Sequence, residues 1–359
     1  MRSVLALATL LAIAGSAPAQ ARITVPRGVH VGTVARGVGQ PTNIAFDARG
    51  RIWTTSAGYV NAGSDGVWVT PRAGARPRHV IRRLYTALGL AWFRGELYVS
   101  YVTPYSDRID PVHRRGRIDA FSRFDGRRFH RRRTVLRNLP VGAHNVDSIA
   151  VGPHGRLFAG IGAPTNAQRP RARLSATVIS FLPNGHSVRV EGRGFRNPYG
   201  LAFVPGGSQL LVSENSRDDL GPFRPPDELN VVDPQGAPRA FGFPGCFDQG
   251  GRACVHSVAP LARLAPHASA DGLAVARRFG RYGLSAFIAE NGSSFAQNRT
   301  GSDVVRVALR RRGRHLSAHP TVFARGFREH DPLGAAMGPG GALYVTLFGS
   351  GRVLRFTAR

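Results

Sequence analysis

Between Gly194 and Pro244 the chain carries more polar residues than a core would need. Arg196-Asn197 precede an apolar stretch, Tyr199 to Phe203; Ser213-Glu214-Asn215-Ser216-Arg217-Asp218-Asp219 follow a second one, and Pro225-Pro226-Asp227-Glu228 come after. This reads as a buried strand with polar equipment at both ends and a long acidic loop behind it, which is how a site is mounted on a rigid scaffold. Asn215 to Asp219, with Asp227 and Glu228, offer carboxylates and loop carbonyls, the hard-oxygen set that suits calcium. The spacing is not that of an EF-hand loop, and Asp and Asn are also ordinary turn formers. His144, in Gly142-Ala143-His144-Asn145-Val146-Asp147-Ser148, stands before another apolar strand, as Arg196 does. A histidine beside an arginine suits removal of a proton by the imidazole, with the guanidinium stabilising negative charge that develops nearby. His267 also precedes such a strand and reads as a structural histidine.

The scaffold that would bring these residues together is a repeat. A small residue and an apolar one, a turn with Gly, then an alternating strand recur six times, around Ala45, Ala91, Ala150, Ala202, Ala274 and Ala336, at spacings of 46 to 72 residues. Units of that length fit propeller blades of four short strands. No stretch sustains a 3.6-residue apolar period with caps, so helix content is expected to be low. The expectation is one all-β domain over 22–359, a six-bladed β-propeller; a sandwich rarely holds so many hairpins, and β-helix repeats are shorter. To close the ring, the segment from Ile23 to Val34 and the C-terminal Val353 to Phe356 should share a blade or lie in adjacent ones. The longest spacing has its excess between Glu214 and Pro260, and long structured insertions are usually functional.

Composition narrows the setting. Residues 1–21 read as a cleaved export signal, with Arg2, an apolar run from Val4 to Ile13 and Ala19-Gln20-Ala21 as the cleavage site. That run is too short to span a bilayer and no later segment approaches the ~20 residues needed, so a secreted or periplasmic protein without a membrane span is expected. All 49 basic residues are arginine, and the formal charge is +28. Such a charge favours acidic partners in general, but the arginine runs read as solvated loops without interleaved aromatics, so nucleic acid is not expected as a partner. Cys246 and Cys254 are eight apart in a Gly-rich loop; a local disulfide is the default in an oxidising compartment, and a metal pair would have only His256 near.

The chain resembles the exported quinoprotein sugar dehydrogenases of the glucose and sorbosone dehydrogenase type. The likeness rests on Arg196-Asn197-Pro198-Tyr199-Gly200-Leu201-Ala202-Phe203, Ser213-Glu214-Asn215 with Arg217-Asp218-Asp219-Leu220-Gly221, Pro225-Pro226-Asp227-Glu228-Leu229-Asn230 and Phe241-Gly242-Phe243-Pro244. It implies a six-bladed propeller holding pyrroloquinoline quinone (PQQ) and Ca2+ over the central channel. It further implies His144 as the base, Arg196 on the quinone oxygens, Asn197, Asn215 and Arg217 as cofactor contacts, and the carbonyls of Ser216 and Arg217 as calcium ligands. The implied partners are a sugar or aldehyde substrate and an external electron acceptor. The chain departs from the family at Phe243, Asn291, Ser294, Thr165-Asn166 and Leu347-Phe348, and it has no lysine to place on the cofactor.

Two other readings stand beside this one. A metal-dependent lactonase also uses six blades and would need a carboxylate-rich cage at the axis. A non-catalytic binding propeller would have kept the scaffold and lost the cofactor.

Overall fold

The computed structural model describes residues 22–58, 63–103, 114–247, 250–293 and 300–359. The export signal expected at 1–21 and Ser294 lie outside the described residues. The strands form six separate sheets set as the blades of a propeller, and the described residues contain three short 3₁₀ turns and no α-helix.

Each repeated alanine lies on the innermost strand of one blade: Pro41–Phe46, Leu90–Phe93, Val146–Val151, Pro198–Phe203, Ala270–Ala276 and Pro332–Met337. The second strands, such as Ile52–Ser56, Leu157–Ile161 and Leu210–Glu214, are buried along their whole length. They are sandwiched between neighbouring blades, so both of their faces are covered, although they carry polar residues such as Thr54, Thr55 and Ser56. The ring closes on strand pairing: Val29–Arg36 is the outer strand of the last blade, antiparallel to Arg352–Ala358, with Val31 opposite Phe356. The two terminal segments thus share a blade.

Neighbouring blades approach closely at the inner strands, and two glycines make this possible. A Cβ on Gly89 would lie 2.2 Å from the carbonyl oxygen of Asp147, and one on Gly200 would lie 2.3 Å from that of Asp271. Hydroxyls complete the seam: Ser100 Oγ donates to the Asp147 carbonyl at 2.8 Å, and Ser213 Oγ to the Asp271 carbonyl. Aromatic packing fills the space between blades further out, as where Phe195 stacks on Phe241 at 4.4 Å between centroids.

Of the arginine runs expected in loops, Arg127-Arg128 lie in a turn, while others are carried on the third and fourth strands of their blades. Arg131 to Arg133 lie on Phe129–Leu139, where Arg132 pairs with Asp119 at 2.6 Å and Arg133 with Glu96. Arg310 to Arg312 end Asp303–Arg312. Charged outer strands protect sheet edges from pairing with other chains.

The long insertion in the fourth blade does two things. Residues 215–225 form the acidic loop between its second and third strands. Residues 233–261 cross to the third blade, where Arg239–Ala240 adds a parallel fifth strand beside Arg189–Arg193, before returning as Ala262–Pro266. Cys246 and Cys254 are joined by a disulfide within this crossing, with Cα atoms 4.9 Å apart.

Candidate functional site

All six inner strands start at the same end of the channel. The residue three places before the repeated alanine in each is Thr42, Leu88, Asp147, Tyr199, Asp271 or Leu333, and all six line one cavity of about 390 Å³. They make its floor. Tyr199 reaches from the fourth blade to the first, its hydroxyl donating to the Thr42 carbonyl at 3.1 Å.

The turns that lead into the inner strands form the walls. His144 enters the third blade, held by backbone bonds from His144 N to Ala163 O at 3.1 Å and from Gly162 N to Asn145 O at 2.8 Å. Arg196 enters the fourth blade, where its own N–H is bonded to Glu214 Oε1 and its carbonyl accepts from Ala163 N at 2.7 Å. The two turns are therefore tied to the same short segment, which is how residues 52 apart in sequence come to face one cavity. Asn197, Asn215, Ser216, Asp218, Asp227 and His267 line it as well.

Arg196 is buried, and each of its guanidinium nitrogens has a partner. Nε donates to Asn166 Oδ1 at 2.9 Å, Nη1 to the Asn215 carbonyl at 3.3 Å, and Nη2 to Asp218. Asp218 also lies 3.5 Å from His267 Nδ1, and its N–H donates to Asn166 Oδ1 at 3.1 Å. His267 Nε2 donates to the Gly221 carbonyl at 2.8 Å. Asp227 is bonded by the N–H groups of Ser216 and Ala270, at 2.9 and 3.0 Å. Asn215 donates to the Ala270 carbonyl at 2.9 Å and to Asp271 at 3.1 Å.

Burial decides the charges. His144 is pushed down to about 3, by burial first and by the Arg196 charge second, so its imidazole is neutral at any ordinary pH. Burial raises Asp227 to about 6 and Asp271 to about 8. Asp147 and Glu214 are raised well above the carboxylate range, Asp147 by burial and then by Asp271 and Glu214. Against these acids, Arg196 is the one arginine that lines the cavity among the described residues.

Three residues lining this cavity carry a buried polar atom without a hydrogen-bond partner: His144 Nε2, Asp147 Oδ2 and Asn197 Oδ1. Native proteins rarely leave such groups unsatisfied unless a ligand, ion or water completes them.

The candidates read from the sequence divide in two. His144, Arg196, Asn197, Asn215, Ser216, Asp218 and Asp227 come together at the cavity. Arg217, Asp219 and Glu228 do not line it: Arg217 forks onto Asp219 at 2.8 and 2.6 Å and donates to the Pro244 carbonyl, tying the acidic loop to the disulfide-bearing crossing. Glu228 accepts from Asn230 Nδ2 at 3.0 Å on the opposite side of the strand from Asp227. Sequence reasoning did not single out Asp147, Asp271, Tyr199 or Asn166 as site residues. The first three share a fixed offset from the repeated alanines, a signal available in the sequence.

No family profile matches the chain. A protein of Borreliella burgdorferi, itself uncharacterized, is 27% identical over 190 residues, which are 50% of this chain and 49% of that protein. The chain thus matches about half the length of that relative. Among solved structures, the PQQ domain of a pyranose dehydrogenase from Coprinopsis cinerea superposes with a TM-score of 0.76 at 18% identity, covering 96% of this chain and 99% of that one. A Trichoderma reesei carbohydrate-active enzyme of family AA12 gives 0.77 at 18% identity, with coverage of 96% and 99%. The soluble aldose sugar dehydrogenase of Escherichia coli gives 0.67 at 20% identity, with coverage of 92% and 100%. At these identities the likeness is one of fold.

Proposed function

We propose that the chain is an exported quinoprotein oxidoreductase that oxidises a sugar or a related alcohol or aldehyde, holding PQQ and calcium over the funnel and passing electrons to an external acceptor. The observation that carries this reading is the wall formed by Arg196 with the unpartnered His144 Nε2 and Asn197 Oδ1 in one cavity. The residues fit the group. A guanidinium would take the carbonyl oxygens of an ortho-quinone while an unprotonated imidazole would face a substrate hydroxyl, and Ser216, Asp218 and Asp227, all at the cavity, carry oxygen donors of the kind calcium takes. When bound, PQQ would supply an electrophilic quinone and calcium a Lewis acid.

The chain's own residues do the rest. His144 Nε2 accepts the proton of a substrate hydroxyl, being neutral and having no other partner. Arg196 stabilises negative charge where it develops, from a position fixed by Asn166 and the Asn215 carbonyl. An anionic group beside Arg196 offsets the charge that depresses His144 and raises it towards the range of a working base. Asn197 orients the bound group through its free carbonyl oxygen. The funnel floor, closed by Tyr199, keeps bulk water from entering along the channel.

The test is dye reduction by mature protein reconstituted with PQQ and calcium, against a panel of aldoses and sugar aldehydes. Turnover of at least one member is expected, falling by about 10²- to 10⁴-fold in His144→Asn. No turnover of any member by folded protein contradicts the reading. A specific observation favours a second reading, the non-catalytic binding propeller: Asp218 engages the Arg196 guanidinium, and the chain has no lysine to add charge. The lactonase has less support. Asp147 and Asp271 converge on the axis, but among the described residues no group of three or more His, Cys, Asp or Glu is arranged to hold a metal.

A further inference from the structure

Asp147 and Asp271 occupy the same position in the third and fifth blades, yet their surroundings differ. Asp271 is fully engaged: Oδ1 accepts from Asn215 and Oδ2 from Ser269, at 3.1 and 2.9 Å. Its role is to orient Asn215. Asp147 is 1% exposed, lines the cavity, and has a buried carboxyl oxygen with no partner. Nothing in the fold requires an acid there, since the equivalent places in the second and sixth blades are Leu88 and Leu333. The backbone of Asp147 is nonetheless fixed, by the Ser100 hydroxyl on its carbonyl. A buried polar atom left unpaired is costly, and no hydrogen-bond partner within the protein satisfies Asp147 Oδ2.

We propose that Asp147 is a ligand-binding residue of the funnel floor, its free carboxyl oxygen taking a hydroxyl of a neutral, polyhydroxylated ligand. The partner must be neutral and hydroxylic because of what faces the carboxyl. The charged groups acting on it are both acids, Asp271 and Glu214, and burial first, then these neighbours, raises the Asp147 carboxyl well above the usual range, so it holds its proton where an ordinary carboxyl has lost it. A protonated carboxyl both donates and accepts, as a sugar hydroxyl does. The inference rests on the reading that this funnel takes a sugar, and it adds the residue that grips the sugar from below.

The experiment uses quinone-free protein, so that it stands or falls apart from the redox reading. Wild type, Asp147→Leu and Asp147→Asn are titrated calorimetrically with D-glucose, D-xylose and D-mannitol, and separately with calcium chloride. Leucine is the residue that two other blades carry at this place, so the variant keeps its fold, which circular dichroism and the melting temperature verify. The expected result is that at least one polyol binds the wild type, that Asp147→Leu weakens it tenfold or more, and that Asp147→Asn, which also donates and accepts, stays within about threefold. Calcium affinity stays unchanged in both variants. Absence of polyol binding to the wild type, equal affinity in Asp147→Leu, or loss in Asp147→Asn as deep as in Asp147→Leu overturns the proposal. So does a loss of calcium affinity in place of polyol affinity, which would make the carboxyl an ion ligand. If polyols bind as expected but no dye is reduced, the redox reading fails and this one survives.

Discussion

The channel of this propeller has two mouths built on the same six inner strands, and they differ in kind. At one, Thr42, Leu88, Asp147, Tyr199, Asp271 and Leu333 floor a cavity whose walls are polar turns. At the other, four residues further along the strands, Phe46, Trp92, Val151, Val275 and Met337 line a depression of about 340 Å³. There the strands turn back at once through short hairpins, such as the one between Phe93 and Glu96. The scaffold thus offers two cavities of similar size, and only one is equipped with buried titratable groups. What separates them is the connections: incoming turns between blades bring His144, Arg196 and His267, and the acidic loop of the fourth blade brings Asp218 and leads into the strand that carries Asp227.

The largest effect that would break the contrast is at Arg196. Arg196→Leu removes the arginine that lines the polar mouth and leaves the half-buried Asp218 without its guanidinium partner. Activity of the reconstituted protein is expected to fall by at least about 10²-fold, measured by dye reduction. Phe46→Ser at the apolar mouth is expected to change it less than twofold; a comparable loss in both would mean that the two ends are not functionally distinct.

A second test sharpens the difference by pH. Burial and the Arg196 charge depress His144 to about 3 in the quinone-free protein, so titration of its imidazole followed by NMR is expected to have its midpoint near pH 3 rather than near the usual 6.5. A midpoint near 6.5 in the quinone-free protein would show that Nε2 is solvated.

Stability gives a smaller signal. Asp271 at about 8 binds a proton in the folded state that it has lost in the unfolded chain above pH 4. Its contribution is present below pH 4 and is lost as the pH rises through 8. His144 and His79, depressed to about 3 and about 4, act oppositely, but only below pH 6.5. Between pH 6.5 and 8.5 the acids act alone, so the melting temperature is expected to fall by a few degrees, and Asp271→Asn to reduce the slope. A flat or rising profile over that range would contradict the buried, proton-holding state of the floor.

The fold was legible because a propeller repeats its inner hairpin, and the small residue beside the apolar one marks the place where blades crowd the axis. The walls were legible for the same reason: His144 and Arg196 stand at corresponding points before repeated strands. The floor was harder, because its six positions hold Thr, Leu, Asp, Tyr, Asp and Leu, so no residue type recurs and only the offset from alanine exposes them. Asn166 was out of reach, since its role depends on a loop folding back to Arg196. In and just after the acidic loop, composition could not tell Asp227, whose oxygens cap Ser216 and Ala270 at the cavity, from Asp219, whose oxygens are taken by Arg217.

The measurement that tests the central claim most directly is calorimetric titration of the mature protein with PQQ in calcium, for wild type and Arg196→Leu. Binding of one equivalent that disappears on chelation and is lost in Arg196→Leu is the result expected. No binding at any calcium level, or binding undiminished in Arg196→Leu, would contradict it.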